Sequence, residues 1–179
     1  MVADREVMIV DYDPRWSDAY VAEARSLVEL FADTEVHVEH IGSTSIPGLG
    51  AKPIIDILLG AGQLCEIEDR IRAIERLGYV YVPEHEKVFP ERRYFHKDSE
   101  GVRTHHLHGV EFESTFWFDH ILFRDHLRSH PEVAASYYRL KQELAERFRA
   151  DREQYTASKG EFIQGVLAAP RRGPLAAPA

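Results

Sequence analysis

The sequence predicts an α/β domain in which helices flank a mixed β-sheet and the C-terminal third is helical. Over the first two thirds of the chain, short β-favouring runs alternate with apolar residues at helical spacing, a pattern typical of α/β folds. The stretch 39–60 adds a strand, a glycine-containing turn and a second strand. From residue 114 onward only helical patterns and helix-capping residues follow, which predicts the helical end of the domain.

Composition and charge limit the classes of protein to which the chain can belong. Of its 179 residues 44% are hydrophobic, so we expect residues 1–169 to fold as one domain and the proline- and alanine-rich 170–179 to be disordered. A single cysteine, Cys65, and the lack of a signal peptide or a membrane-spanning apolar run favour a cytoplasmic protein without membrane contact. The formal charge of −8 argues against general nucleic-acid binding, because such binding depends on neutralising phosphates.

The first half of the chain contains two predicted helices and three predicted strands. Asp13-Pro14 fits a helix start and Gly78 a helix end, since proline suits the first helical position and glycine the position after the last. Pro83 stops a strand because it has no N–H group for the ladder. In order, we expect a helix over 13–32, strands over 36–41 and 54–59, a helix over 63–77 and a strand over 79–82.

The second half is predicted to begin with a hairpin and to end in three helices. The turn 97–101 is rich in hairpin residues. Ser114, Ser129 with Glu132, and Asp151 stand where helix caps are expected. In order, we expect strands over 92–96 and 102–112, a helix ending before Pro131, a helix that follows it, and a last helix that ends near Ala169.

The turn between the first two strands of the stretch 39–60 is the first candidate functional feature. Gly42 ends the first of these strands, and Ser43 and Thr44 follow with hydroxyl and backbone N–H groups that suit an anion. Asp56 interrupts the apolar run of the next strand, and a buried acid is costly unless it has a partner. Two interpretations stay open: Asp56 is a functional acid, or it caps a loop or pairs with a cation such as Lys52.

Several separated motifs occur in the order found in a known family. They are DYDPRW, HIGSTSIPGLGAKPIID, RTHHLHG and FRDHLRSHPE, followed by Tyr155, Lys159 and Phe162-Ile163. In these motifs the chain resembles the GrpB-type family, an uncharacterised family with a nucleotidyltransferase-like fold. The resemblance extends over most of the chain and implies that fold.

The nucleotidyltransferase pattern that the resemblance implies places a Gly-Ser pair after one strand and two acids, two residues apart, on the next. Gly42-Ser43 and Asp56 match these positions, but Leu58 stands where the second acid is expected. Paired carboxylates on one strand face hold Mg²⁺, and a leucine side chain cannot. The site therefore uses a metal with ligands from elsewhere, or binds a ligand without metal, or is inactive as a nucleotidyltransferase.

Histidines on a later strand offer replacement ligands. Strand alternation over 103–111 puts His106 and His108 on one face, where they can join Asp56. Two imidazoles with one carboxylate suit Zn²⁺ or Mn²⁺ better than Mg²⁺. The alternative is that both histidines hydrogen-bond around a polar pocket without a metal.

Basic residues near the same strands and on the C-terminal helices indicate an anionic ligand. Lys52, Arg93, Arg103 and Lys159 are predicted to contact the phosphate or carboxylate group of a substrate. For Lys159, plain helix packing is the alternative. Lys141 is expected on a solvated helix face.

Two main functions stay open from the sequence, beside a different reaction built on the same fold. The first is an enzyme that acts on a nucleotide or another phosphorylated or carboxylated small molecule, by nucleotidyl transfer or adenylation-dependent ligation, with Mg²⁺, Mn²⁺ or Zn²⁺ and a nucleotide triphosphate as cofactors. Its catalytic and metal-binding residues are expected to be Asp56, His106 and His108, with Gly42, Ser43 and Thr44 at the substrate. The second is a non-catalytic ligand-binding or folding-assistance module, related to the domain fused to dephospho-CoA kinase in some actinobacteria.

Overall fold

The computed structural model of the protein describes residues 6–168. Within this range the strands are β1 (Val36–Ile41), β2 (Ile55–Ala61), β3 (Tyr79–Tyr81), β4 (Arg92–Ser99) and β5 (Val102–Glu111). The helices are α1 (Arg15–Leu30), α2 (Leu64–Glu68), α3 (Ile71–Arg76), α4 (Thr115–Ser129), α5 (Pro131–Arg147), α6 (Arg152–Ala157) and α7 (Gly160–Leu167). Short 3₁₀ segments lie at Ser43–Ser45 and Pro83–Lys87. The predicted tail, 170–179, lies outside the described residues.

The strands form one mixed sheet in the order β1-β2-β5-β4-β3. Strands β2 and β5 run parallel, and the other neighbouring pairs are antiparallel. The parallel pair sets Asp56 beside His106 and Leu58 beside His108. The predicted α/β class, with a mixed sheet and a helical C-terminal third, is confirmed.

One face of the sheet carries the main hydrophobic core. Successive side chains of a strand point to opposite faces, and on this face Ile57 and Leu59 of β2 pack with Phe31 beside α1. Ile67 of α2 and Ile74 of α3 complete the same cluster. Helices α1, α2 and α3 therefore cover this face.

The opposite face is covered by the C-terminal helices and carries the polar residues of interest. Leu58 and Val110 pack there with Trp117 of α4. Gly60 permits this approach, because a Cβ atom at position 60 would lie only 2.7 Å from the Trp117 ring. Asp56, two residues before Leu58, shares this face and opens onto the space beneath the helices.

Three predicted helix ends have the expected local chemistry. The Ser114 hydroxyl accepts a hydrogen bond from the Trp117 amide at 3.3 Å, and the Asp151 carboxylate accepts one from the Gln154 amide at 2.9 Å. Gly78 follows α3 with a φ of +93°, a conformation that glycine adopts without the steric cost of a Cβ atom. The end of α3 and the starts of α4 and α6 therefore lie where the sequence predicts a helix end and two helix starts.

The helix predicted over 63–77 is divided into α2 and α3. The Arg70 guanidinium donates to the Glu66 carbonyl at 3.0 Å, an acceptor that a continuous helix gives to the Arg70 amide. That amide bonds instead to the Ile67 carbonyl, three residues back. The break thus follows from a side-chain bond that competes with the helix ladder.

The predicted last helix is also divided, and one predicted cap is wrong. Between α6 and α7 the Lys159 amide bonds to the Thr156 carbonyl, again three residues back. The Ser129 hydroxyl donates to the Asp125 carbonyl and does not cap the next helix, so α5 begins at Pro131 without a side-chain cap. Over residues 6–168, no helix combines the length and the apolar character needed to cross a membrane.

Candidate active site

A cavity of about 520 Å³ lies between the second face of the sheet and helices α4–α7. It brings together most of the residues singled out in the sequence. Its lining includes Gly42, Ser43, Thr44, Lys52, Asp56, His106, His108 and Lys159. Aromatic side chains of the helices form the opposite wall, so the cavity combines a polar floor with an apolar roof, as small-molecule sites commonly do.

Asp56, His106 and His108 form a compact cluster on the floor of the cavity. Nδ1 of His106 lies 2.8 Å from Oδ1 of Asp56. One potential ligand atom from each of the three residues lies within 4.8 Å of the others. The Asp56 side chain is 27% exposed and that of His106 is 18% exposed, so both are shielded but reachable from the cavity. The arrangement follows from the parallel register of β2 and β5.

Asp56 is ionised at neutral pH. Burial opposes its ionisation, but the hydrogen bond from His106 and the nearby groups of His106, His108 and Lys52 outweigh burial and lower the pKa of Asp56 to about 2. An ionised carboxylate only accepts hydrogen bonds, so Nδ1 of His106 is the donor. Nε2 of His106 is not used by this bond, so it can serve as a proton acceptor or a metal ligand.

Gly42 lets the turn after β1 lie against the Asp56 carboxylate. Its φ of +70° is in the left-handed region. A Cβ atom at this position would overlap Oδ2 of Asp56 and lie 3.0 Å from the Asp56 Cβ and Cγ atoms. Helix α4 fixes the same turn, since the Arg128 guanidinium donates to the Ser45 carbonyl at 2.8 Å.

The Thr44 hydroxyl is already engaged within the protein. It donates to the Ile54 carbonyl at 3.2 Å, so it accepts from Nε2 of His40, which lies 3.0 Å away. Burial, together with Arg128 and Arg124, lowers the pKa of His40 to about 4, so this imidazole is neutral. Thr44 lines the cavity, but its hydroxyl joins the turn to the start of β2.

Three lysines lie at the helical end of the cavity. Nζ of Lys52 and Nζ of Lys159 lie 4.7 Å and 4.6 Å from the ring centroid of Tyr155. Lys141 is 2% exposed and donates to the Gly50 carbonyl at 2.5 Å. Burial first, and then neighbouring lysines, lower the pKa of both Lys52 and Lys141 to about 7.

The expectation that Lys141 lies on a solvated helix face is wrong. Lys141 belongs to the buried stripe of α5, together with Tyr137 and Leu144. These positions follow the i, i+4, i+7 spacing of a core-facing helix stripe. The spacing of Lys141 in the sequence therefore indicated a core position, whereas its charge favoured a surface position.

The structure does not bring Arg93 or Arg103 to the cavity. Arg93 stands opposite Gly109 in the β4–β5 pairing, and its Nε donates to Oε1 of Glu68 at 2.8 Å. Arg103 lies at the hairpin end of β5, where its Nε is 2.5 Å from Oδ1 of Asp98. Both guanidinium groups thus have acidic partners away from the cavity lining.

Leu58 lies on the same face as Asp56 but is closed off from the cavity. It is fully buried in the apolar cluster formed with Ile41, Val110 and Trp117. An acid at position 58 would therefore be in a dry environment beneath α4. This packing explains how the chain accommodates a leucine at that position.

Two residues that sequence patterns do not single out, His120 and Arg92, adjoin the cluster. The His120 ring stacks on Phe116 at 4.1 Å and its centroid lies 6.3 Å from that of His108. The Arg92 side chain approaches Nδ1 of His108 at 3.4 Å and lies over the Phe89 ring at 4.5 Å. Only the pairing of distant segments places these residues here, because neither belongs to a local motif.

Comparisons with known proteins give a consistent result. A family model described as GrpB protein matches residues 6–169. The chain is 33% identical over 168 residues to glutamate-rich protein GrpB from Alkalihalophilus pseudofirmus, an alignment that covers 90% of this chain and 94% of that protein. It is 36% identical over 160 residues to UPF0157 protein YqkA from Bacillus subtilis, covering 89% of this chain. The chain spans only 46% of the length of YqkA.

A solved structure shares the fold. The crystal structure of conserved protein GrpB from Enterococcus faecalis matches with a TM-score of 0.80 and 34% sequence identity, covering 89% of this chain and 94% of that chain.

Two proteins that are more distantly similar to this chain have names that mention an activity. A dephospho-CoA kinase from Mycolicibacterium paratuberculosis is 25% identical over 192 residues, covering 91% of this chain and 46% of that protein. Terminal uridylyl transferase 4 from Trypanosoma brucei with bound CTP matches with a TM-score of 0.47 and 16% identity, covering 77% of this chain and 43% of that chain. The TM-score and identity of this second match are too low to support an argument about activity. The family model and the relatives above 30% identity agree, and the chain belongs to the GrpB protein family.

Proposed function

We propose that the protein is an enzyme that acts on a phosphorylated or carboxylated small molecule, with nucleotides among the candidates. The observation that carries the proposal is one cavity of about 520 Å³ lined by both an Asp56–His106–His108 cluster and three lysines. The cluster supplies groups that bind a cation or move a proton, and the lysines supply positive charge for an anion. Binding and chemistry can therefore occur side by side.

The cluster fits a divalent cation. One carboxylate and two imidazoles are donors that Zn²⁺ and Mn²⁺ accept more readily than Mg²⁺ does. The three ligand atoms are close enough to converge, within 4.8 Å of one another. When bound, such a cation polarises an oxygen of the substrate and stabilises developing negative charge.

The residues of the chain have separate roles in this proposal. Without a cation, Asp56 holds the His106 ring through the bond of 2.8 Å between Nδ1 and Oδ1, and Nε2 of His106 is placed to take a proton from an attacking hydroxyl or amine. A cation shared by Asp56 and His106 would instead replace the proton on Nδ1. Lys52 and Lys159 hold the anionic part of the substrate and neutralise its charge. Nucleotidyl transfer and adenylation-dependent ligation both need these two roles.

A second candidate is a non-catalytic ligand-binding or folding-assistance module. Leu58 favours it, because this fully buried leucine occupies the position of the second acid in the nucleotidyltransferase pattern. The similarity to a dephospho-CoA kinase supports the same candidate, since this chain covers 46% of that longer protein. Such a module binds its ligand in the same cavity but does not turn it over.

A ligand screen with matched variants tests the proposal. Thermal shifts are measured with nucleotides, sugar phosphates and carboxylates, each with Zn²⁺, Mn²⁺ or Mg²⁺, and compounds that co-purify are identified by mass spectrometry. We expect a metal-dependent shift for an anionic compound, and conversion of that compound over time. The shift should disappear in Asp56→Asn and persist in His105→Gln, a control on the same strand as His106 that points to the opposite face. Equal shifts in both variants contradict the site, and binding without conversion supports the non-catalytic module.

A further inference from the structure

The lysines at the helical end of the cavity form a positive cluster that we call the lysine cluster: Lys52, Lys141 and Lys159. Two of the amines share the ring of Tyr155, at 4.7 Å and 4.6 Å from its centroid. The third, Lys141, comes from α5 and is 2% exposed. The three side chains belong to three different segments of the chain and converge on one end of the cavity.

Within the described part of the chain, the lysine cluster has no acidic partner at ion-pair distance. Among residues 6–168, no carboxylate lies within 4.0 Å of any of the three amines. Lys141 has one hydrogen-bond acceptor, the Gly50 carbonyl. Asp56 is the acid that acts on Lys52 and Lys159 from a greater distance, and its carboxylate is engaged by His106. Positive side chains gathered in a shielded cavity, beyond ion-pair distance of any carboxylate of residues 6–168, cost free energy in the empty protein.

An anion that satisfies this cluster must bring several negative charges. A single carboxylate can form a well-aligned ion pair with one ammonium group, and the charges of the other two ammonium groups stay unpaired. A chain of phosphates presents charged oxygens along its length, and each lysine can approach a different phosphate as a point charge. Three amines at one end of the cavity match the several negative charges of a phosphate chain better than the single charge of a carboxylate.

We infer that the lysine cluster is a subsite for a chain of two or more phosphates, so that the substrate of this enzyme is a diphosphate or triphosphate ester. The inference rests on the proposed function for the reaction, and names the substrate class. It assigns the phosphate chain to the helical end of the cavity. The group that reacts is then held at the Asp56–His106–His108 end.

Binding of an anion at this subsite should be coupled to the uptake of protons by the lysines. Burial lowers the pKa of Lys52 and of Lys141 to about 7, with Lys159 acting in the same direction on both. Arg152 also lowers the pKa of Lys52, and Asp56 opposes it. An arriving anion favours the charged amines, so binding at pH 8 takes up protons.

Calorimetry with tripolyphosphate tests the subsite in the presence of EDTA, which removes any contribution from a divalent cation. We expect tripolyphosphate to bind at least about tenfold more tightly than inorganic phosphate or acetate. Lys52→Met and Lys159→Met should each weaken it about tenfold, Lys159→Arg should retain most of the affinity, and the exposed control Lys87→Met should match the wild type. Titrations at pH 8 in two buffers with different ionisation enthalpies should show proton uptake that Lys52→Met reduces.

The outcomes separate this inference from the proposed function. If acetate and phosphate bind as well as tripolyphosphate, or if the lysine variants bind it like the control, the subsite is refuted even where Asp56 binds a metal. If tripolyphosphate binding depends on the lysines but no metal-dependent turnover occurs, the subsite stands and the proposed enzyme does not.

Discussion

Gly42 and Asp56 are in direct contact across the turn that follows β1, and the contact leaves no room for a side chain at position 42. The φ of +70° favours glycine there, and the overlap that a Cβ atom would have with Oδ2 of Asp56 excludes a larger residue without rearrangement. The turn and the acid are thus one unit, which joins the candidate anion-binding segment to the candidate metal ligand.

Gly42→Ala tests this relationship. We expect the variant to lose roughly 3 kcal/mol of unfolding free energy and to displace the Asp56 carboxylate, because it adds a steric overlap to an unfavourable φ. Gly48→Ala is a matched control: its φ is +78°, but a Cβ atom there would have no heavy atom within 4 Å. The control should lose only about 1 kcal/mol in urea denaturation. Equal losses in the two variants would show that the approach to Asp56 is unimportant.

Asp56→Asn removes the charge of the side chain and nearly keeps its shape. The amide oxygen can still accept from His106, so the fold should survive with a loss of at most about 2 kcal/mol. Because the folded-state pKa of Asp56 is lowered to about 2 from an ordinary 3.8, the wild type's advantage is present above pH 4 and declines as the pH falls toward 2. Urea denaturation of both proteins from pH 2 to 6 measures the difference. A difference that does not change with pH would contradict the ionised, paired state of Asp56.

Leu58→Asp should destabilise the protein without creating a new metal site. The side chain is fully buried in an apolar cluster, so we expect a loss of roughly 3 kcal/mol or more. Leu58→Met, which nearly conserves volume, should cost less than about 1.5 kcal/mol. Thermal unfolding with and without Mg²⁺ checks both values. An Asp variant that is as stable as the Met variant and gains Mg²⁺ binding would show that position 58 opens to the cavity.

Lys141→Met should change how stability depends on pH. The pKa of Lys141 is about 7 in the folded protein against an ordinary 10.5, so between these values the unfolded chain binds more protons. The wild type should therefore gain stability relative to the variant as the pH rises from 7 to 10, by up to about 1.4 kcal/mol per pH unit. Urea denaturation at pH 7, 8 and 9 gives the slope. Parallel pH profiles would mean that Lys141 stays charged when buried.

The shared strand face of His106 and His108 could be predicted because it depends on a local rule. Residues two apart share a strand face, and the two strands concerned carry their polar residues at this period. What the sequence did not contain was the neighbour relation: β2 lies beside β5, although the hairpin of β4 and other elements intervene along the chain.

The surroundings of Arg93, Arg103 and Lys141 could not be predicted from the sequence. Arg93 and Arg103 stand near strand motifs, but their acidic partners, Glu68 and Asp98, become visible only when the segments are paired in space. Lys141 has the spacing of a core residue and the charge of a surface residue. Its amine is accommodated by the Gly50 carbonyl, which no local pattern connects with it.

The most direct test of the central claim is to locate a metal ion. Crystals of the wild-type protein soaked in Zn²⁺ and measured at the zinc absorption edge should show an anomalous peak at the floor of the cavity. We expect it about 2.1 Å from a nitrogen of His106, a nitrogen of His108 and an oxygen of Asp56, and we expect it to be lost in Asp56→Asn crystals. A fully soaked crystal with zinc bound elsewhere and no peak between these three residues would contradict the account.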